Sequence, residues 1–444
     1  MKTISVFGLG YVGCVTAACF ANSGFNVIGV DVNEEKVNML NQGKSPIVEP
    51  GLEELLSDMV AKGRLRATQS CEDAISNSDM AFICVGTPGN EFGQLQLSAL
   101  RRVSQEIGAA LKTDSRRYTV VVRSTVLPGT TVKTVCGPLY KEAGAYARSR
   151  IKVAVNPEFM REGTALKDFA NPPYTLIGCE DDATTTLLRK LYDGVDAPFV
   201  VTQIATAETV KYVSNTYHAL KVCFANEIGD ACDRLGVDGQ EVMRIFRMDT
   251  KLNVSAAYLR PGFAFGGSCL PKDVKALLYA AHHLNVDMPV LNAIIPSNNG
   301  QIERAINSIV AAGAKRIGVV GLSFKADTDD LRESPMVRVV ESLIGKGLTI
   351  RIVDTNVSIA RLTGANRRYI EEEIPHISML MCDSPEALIE HADVLVIGSD
   401  SADAVRVLAL AKPTQTVIDL TRGWLRIKVD GSTQTATAKN RQAA

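Results

Sequence analysis

"TISVFGLGYVGCVTAACFANSGFNVIGVD", residues 3–31, decides how the rest of the chain is read. A β-branched and apolar run breaks at Gly8. Gly8, Gly10 and Gly13 then form G-x-G-x-x-G, and a stretch of small residues runs on as a helix that ends near Gly24. "FNVIGVDVN" follows as a second buried strand. In a strand–turn–helix of this kind the first glycine permits the tight turn. The second lets a pyrophosphate approach the backbone, and the third lets helix pack on strand. The unpaired N–H groups at the helix start suit an anion. Asp31 stands near the roughly 20-residue offset at which a carboxylate holds the ribose hydroxyls of a dinucleotide. Its charge opposes the extra phosphate of NADP, so NAD is the cofactor expected. The alternative is a glycine-rich packing turn with an exposed aspartate.

Outward from this unit, "MAFICVGTP", "YTVVVRSTV", "IKVAVNPEF" and "YTLIGCE" read as further strands with helical stretches between the earlier ones. Buried strands alternating with helices indicate βαβ units and a parallel sheet, here placed over residues 1–203. From Ala205 to Leu235 the pattern is helical, with no proline and no glycine before Gly229. A helix of more than about 25 residues is uncommon inside one small domain, so it is expected to link two. Helical segments fill residues 204–300. The strand–turn pattern returns at "KRIGVVGLSFKADTDD" and continues through "LTIRIVDTN", "ADVLVIGSD" and "QTVIDL", a loose echo of the first unit over residues 301–428. Residues 429–444 are polar and expected to form a disordered tail. The fold class is therefore α/β: two Rossmann-like, doubly wound parallel-sheet domains joined by a long central helix and a helical middle domain.

The 444 residues carry a formal net charge of -1 and 46% hydrophobic residues, which argues against a nucleic-acid or anionic-membrane footprint. The ten cysteines are scattered singly without a CxxC pair, and the five histidines include no HExxH. Neither a disulfide framework nor a metal site is expected, and a reducing cytoplasm fits. The chain opens into a strand without the features of a signal peptide, and no apolar run reaches the roughly 18 residues of a membrane span.

Four further stretches need reasons. "FAFGGSCLPKD", residues 263–273, sets Cys269 behind two glycines, which implies either close approach to the backbone or a positive φ. Cys269 itself reads as a packing thiol or a nucleophile. Lys211, Asn215, His218 and Asn226 recur at helical spacing on one face, which is either a solvated face or the wall of a cavity. "NPEFMREGTAL" places Glu158 and Glu162 four apart beside Arg161, as helix-start charges or as site residues. "GLSFKADTDDLRESP" gathers Lys325, Asp329, Asp330 and Arg332 in one turn, solvated or functional.

Together "FGLGYVG", "VGTP", "STVLPGT", "NPEFMREG", "ETVKYVSNTYHALKVCFANEI", "GFAFGGSCLPKD" and "GLSFKADTDDLRESP" resemble, in order, the nucleotide-sugar 6-dehydrogenases. That family oxidises UDP-glucose, UDP-N-acetylmannosamine or GDP-mannose, and the resemblance runs from residue 1 to about 420. "KSPIVEPGL", "HALKVCFANEIGDACDRLGVDGQEVM" and "YLRPGFAFGGSCLPKD" are most similar to the GDP-mannose branch, which feeds alginate synthesis. The resemblance implies that Cys269 is the catalytic thiol. It sets Lys211, Asn215 and Asp273 around the reacting C6, with Thr125 and Glu162 close by. By the same resemblance Tyr11, Val12, Asp31, Lys36, Thr87 and Lys272 contact NAD, with Gly8, Gly10 and Gly13 in the turn. His218, Asn226, Tyr258, Arg260, Phe263, Gly266, Lys325 and Arg332 contact the sugar nucleotide. It also implies a homodimer packed through the central helices, with a substrate site shared between subunits.

The expected reaction is a four-electron oxidation of GDP-mannose by two NAD through a thiohemiacetal and a thioester on Cys269. Gly266 and Gly267 are expected to leave room for sugar and nicotinamide, and the other nine cysteines to be packing residues. UDP-glucose oxidation and a non-catalytic NAD-binding sensor are the alternatives. Two departures stand out: Ala257 replaces a second tyrosine found in the most similar relatives, and the end from "TRGWLRIKVDG" onward does not follow theirs.

Overall fold

The computed structural model describes residues 3–92, 94–259, 262–267, 270–323, 331, 333–355, 357, 377–422 and 425–428. Cys269, Arg260, Lys325 and Arg332 therefore lie outside the described residues, as do Ala444 and the rest of the tail from residue 429. The chain divides into two compact units, Met1–Ala219 and Leu220–Ala444.

The first unit is built on an eight-stranded sheet. Its strands are β1 (Thr3–Phe7), β2 (Asn26–Val30), β3 (Leu65–Thr68), β4 (Met80–Ile83), β5 (Tyr118–Val122), β6 (Ile151–Val155), β7 (Thr175–Gly178) and β8 (Phe199–Thr202). Their order is β3-β2-β1-β4-β5-β6-β7-β8, so the winding reverses between β1 and β4. Every pairing is parallel except β6 with β7, where Val155 faces Gly178 in an antiparallel pair. Ile4 and Val6 of β1 point into one apolar layer and Phe7 into the other, so both faces of the sheet are covered. Continuous apolar runs such as "YTVVV" follow from that double burial. The short strands β3 and β8 and the antiparallel turn at β7 are features the sequence pattern does not announce.

In the second unit β9 (Arg316–Val320), β10 (Thr349–Val353), β11 (Val394–Ile397), β12 (Thr416–Asp419) and β13 (Leu425–Lys428) form a sheet of order β10-β9-β11-β12-β13. It is parallel apart from the β12–β13 edge. The echo of the first unit is close at the reversal point. Gly8 N–H donates to Val30 O at 2.7 Å, and Gly321 N–H to Val353 O at 2.9 Å. Leu9 N–H donates to Asp31 at 2.7 Å, and Leu322 N–H to Asp354 at 2.8 Å. Each unit thus folds a Gly-Leu turn onto an aspartate that ends the neighbouring strand.

The long helix runs Ile204–Leu235, as its residue pattern predicts, and at 1.5 Å per residue it is about 48 Å long. The boundary between the two units falls within it. Two buried carboxylates on it take up backbone donors. Glu208 accepts from Gly129 N at 2.6 Å and Thr131 N at 2.8 Å, and Glu227 accepts from Val290 N at 2.7 Å and Leu291 N at 3.0 Å. No helix among the described residues is long and apolar enough to cross a membrane.

Candidate functional site

The glycine-rich turn in the first unit has the geometry its spacing predicts. Gly8 has φ +95°, and a Cβ there would stand 3.0 Å from the backbone of Cys84 and Val85. A Cβ on Gly13 would lie 1.7 Å from Gly8 O, so the helix Tyr11–Asn22 sits directly on the turn. Gly10 differs: nothing lies within 4 Å of its missing Cβ. Gly10 is also the N-cap, and neither a capping side chain nor an acidic residue occupies the first turn. Open space and uncapped N–H groups at a helix start fit a phosphate. Asp31 reaches this turn from the end of β2. One oxygen accepts from Leu9 N–H, the other from Asn33 N–H at 2.9 Å, and Lys36 Nζ lies 3.9 Å away. Thr87, after β4, donates to Thr125 O at 2.6 Å, which fixes the loop after β5 beside the switch point.

Lys211 enters the same unit from the long helix. It is buried and pairs with buried Glu158 at 2.9 Å, with its Nζ 5.6 Å from the Phe159 ring centre. Glu158 also accepts from Met160 N–H at 2.8 Å. Glu158 is therefore part of an ion pair, not a solvated helix-start charge, and it belongs beside the candidates the sequence singles out. Glu162, four residues on, is exposed. The stripe on the long helix is not uniformly covered: Asn215, His218 and Asn226 are exposed, and so are the apolar Val213, Tyr217, Leu220 and Val222.

The segment holding Glu158 and Glu162 has neither helix nor strand between residues 156 and 164, and two clamps hold it. On one side Arg161 makes a bidentate contact with Asp168 at 2.8 and 3.0 Å. The Arg161 hydrogen bond, reinforced by its charge, holds the Asp168 carboxyl down at about 2. On the other side buried Glu49 accepts from Gly163 N–H and Ala165 N–H, both at 2.7 Å, and from the Tyr11 hydroxyl at 2.5 Å. Burial opposes the charge on Glu49, but the Tyr11 hydroxyl and the two N–H donors prevail and its carboxyl lies below the usual range. The Tyr11 phenol is pushed up by burial and by Glu49. Sequence reasoning passes over Glu49. The available signal is a carboxylate inside the apolar turn "PIVEPGL".

In the second unit residues 263–267 form an irregular turn just before Cys269 in the sequence. The Asn298 side chain pairs with both backbone groups of Phe265, accepting from its N–H and donating to its carbonyl at 2.9 Å each. A Cβ on Gly266 would lie 2.4 Å from Glu333 O and 2.6 Å from Pro335 Cδ, and Gly267 has φ +87°. The glycine pair thus has two distinct causes. The room that Gly266 leaves is filled by the chain's own backbone, which corrects the expectation that it is left for ligands. Beside this turn a groove of about 390 Å³ is lined by Phe265, Pro271, Lys275, Asn298, Glu333 and Arg338. Phe263 is half-buried against the core of this unit, Tyr258 is exposed with φ +62°, and Ala257 precedes it. Lys272 and Asp273 are exposed neighbours on the helix Leu270–His283, 3.2 Å apart.

Nine cysteines are described and all are free thiols. Burial pushes Cys14, Cys19, Cys71 and Cys84 up to about 12 and Cys136 to about 11. Cys223 is the correction to the packing expectation: it is exposed on the long helix.

Comparison with known proteins agrees with this geometry. The UDP-glucose/GDP-mannose dehydrogenase family matches over its NAD binding domain at residues 2–196, its central domain at 205–300 and its UDP binding domain at 318–423. The chain is 51% identical over 419 residues to a GDP-mannose 6-dehydrogenase of Pseudomonas putida, covering 94% of this chain and 95% of the other. A UDP-glucose 6-dehydrogenase of Haloferax volcanii is 34% identical over 89% of this chain and 91% of its own. A crystal structure of a ternary complex of GDP-mannose dehydrogenase from Pseudomonas aeruginosa aligns with TM-score 0.91 at 48% identity, over 95% of this chain and 96% of that one. The chain belongs to the UDP-glucose/GDP-mannose dehydrogenase family, enzymes that oxidise nucleotide sugars with NAD.

Proposed function

We propose that the protein oxidises the C6 hydroxyl of GDP-mannose to a carboxylate, producing GDP-mannuronate for an alginate-type polysaccharide. The observation that carries the choice of sugar is the 51% identity to a GDP-mannose 6-dehydrogenase, against 34% to a UDP-glucose enzyme of similar coverage. NAD takes up one hydride in each of two oxidations. Open Gly10 and the uncapped helix start receive its pyrophosphate, with Tyr11, Val12, Lys36, Thr87 and Lys272 as further contacts and Asp31 facing the ribose.

The first oxidation converts alcohol to aldehyde with release of a proton. The Cys269 thiolate then adds to the aldehyde carbon, and loss of the second hydride leaves a thioester. Water attacks it, the C–S bond breaks, and carboxylate and thiol are released. Lys211 supplies positive charge to the developing oxyanion. Glu158 keeps that ammonium buried and oriented, and Asp273 positions or deprotonates water. Asn215, Thr125 and Glu162 complete the surroundings of C6. His218, Asn226, Tyr258, Arg260, Phe263, Lys325 and Arg332 hold the nucleotide and sugar, and Gly266 offers them its backbone alone.

A homodimer is part of this reading. It is supported by Val213, Tyr217, Leu220 and Val222, apolar and exposed along one helix, a pattern that suits a second copy of the chain. A cytoplasmic location fits the free cysteines. Purified protein with NAD and a panel of nucleotide sugars tests the assignment: two NADH per GDP-mannose are expected. Turnover of UDP-glucose with none of GDP-mannose overturns the sugar assignment.

A further inference from the structure

We infer that Glu49 is a positioning residue for the oxidation. It fastens the segment that carries Glu158 and Glu162 to the tyrosine at the mouth of the cofactor turn. Glu49 sits in the "EPGL" turn, where Leu52 N–H donates to its backbone carbonyl at 3.1 Å and Gly51 takes φ +78°. Its backbone is thus set by a tight turn and its side chain by burial, at 7% exposure. A carboxylate so held has no freedom to follow its donors, so the donors conform to it. Three do: Gly163 N–H, Ala165 N–H and the Tyr11 hydroxyl. The Tyr11 hydroxyl also lies 3.3 Å from Arg161 O, so the tyrosine touches both Glu49 and the segment Glu49 holds.

The consequence is specific. Glu162 directly precedes Gly163, whose N–H ends on Glu49, and Gly163 takes φ +82° there. Loss of the Glu49 acceptor frees Gly163 and Ala165 together, and Glu162 moves with them. Tyr11 is the first residue of the helix whose start faces the phosphate site, so the same carboxylate ties the cofactor turn to the substrate side. The asymmetry of acceptors explains why a carboxylate stands here. Three donors converge on two oxygens, which an amide cannot satisfy because its nitrogen faces an N–H.

The inference rests on the proposed role of Glu162, and the test separates the two. Glu49→Gln and Glu49→Asp are made in the wild-type background and in Glu162→Gln. Kinetics use whichever nucleotide sugar the wild type oxidises, and NADH binding is measured without substrate. A displacement of about 1 Å costs on the order of 10²-fold. Each Glu49 variant is therefore expected to lower kcat/KM by about 10- to 100-fold in the wild-type background and by less than about 3-fold in the Glu162→Gln background. NADH affinity is expected to shift by less than about 3-fold, and hydrogen exchange in residues 157–166 to accelerate. Equal costs in both backgrounds overturn the inference, as does a loss confined to NADH affinity. Unchanged kcat/KM in a folded variant also overturns it, and so does failure of both Glu49 variants to fold, which assigns the residue to the fold as a whole. A Glu162→Gln variant that keeps full activity overturns the reading of Glu162 instead.

Discussion

Replacing Lys211 by methionine isolates the energetics of the buried pair from its chemistry. Lys211 and Glu158 stand 2.9 Å apart with about nine-tenths of each side chain buried. Removing one partner of such a pair strands the other charge, at a cost of about 3–5 kcal/mol. For a unit of the size of Met1–Ala219, each kcal/mol lowers the melting midpoint by roughly 2–4 °C. Lys211→Met is therefore expected to melt roughly 6–20 °C lower at pH 7. The double variant Lys211→Met/Glu158→Gln carries no stranded charge and is expected to regain most of that stability. Activity is not expected to follow: under the role proposed for Lys211, losing that cation costs on the order of 10²-fold or more in both variants. Differential scanning calorimetry and NADH production on the same preparations measure the two quantities. A single-variant loss below about 1 kcal/mol, outside the range for a buried pair, refutes the energetic argument. Activity that returns with stability refutes the catalytic one.

Cys269→Ser is expected to fold and bind NAD, to abolish net acid formation and to leave at most a slow burst of about one NADH per site. A substantial residual rate of acid formation rules out the covalent route. At pH 8 alkylation is expected at Cys269 and at exposed Cys223 but not at Cys14, Cys19, Cys71 or Cys84, because thiols pushed up to about 12 stay protonated. Cys223→Ser should remain sensitive to the reagent, and mass mapping reads both. Gly266→Ala is expected to destabilise the turn or displace the chain at Glu333, since no Cβ fits at 2.4 Å from a carbonyl oxygen. Wild-type activity and midpoint in that variant count against so close an approach of the two backbones. Asp168 is depressed to about 2 by Arg161, so its stabilisation is complete above the ordinary carboxylate range and lost as pH falls toward 2. The midpoint difference between wild type and Asp168→Asn is expected to be constant from pH 7 to about 5 and to shrink below about 4.

How far the sequence can be read depends on the range of the interaction. The glycine spacing at Gly8, Gly10 and Gly13 states a local turn, and the long helix is legible because about thirty residues share one periodicity. Four-residue strands such as β3 and β8 have too few positions to show alternation. The direction of β7 depends on pairing with β6, which composition does not record. The same holds for the site. Glu158 is visible as a charge, but its burial is decided by Lys211, 53 residues later. The cause of Gly266 lies at Glu333, across 67 residues. Glu49 combines both difficulties, since its donors come from Tyr11 and from Gly163 and Ala165, far away on either side.

The bracket repeated at the two reversal points has a consequence for redesign. Asp354 performs in the second sheet the same fastening that Asp31 performs in the first, accepting the N–H that follows the opening glycine. The recurrence marks the aspartate as a fastener of the turn, a role independent of the ribose contact proposed for it. Exchanging Asp31 for a small neutral residue to admit the phosphate of NADP removes the acceptor that shapes Gly8 to Gly10, and with it the cradle both dinucleotides need. Cofactor preference in this scaffold is thus tied to the integrity of the turn. A switch of specificity must supply a new acceptor for Leu9 N–H along with a cation for the added phosphate.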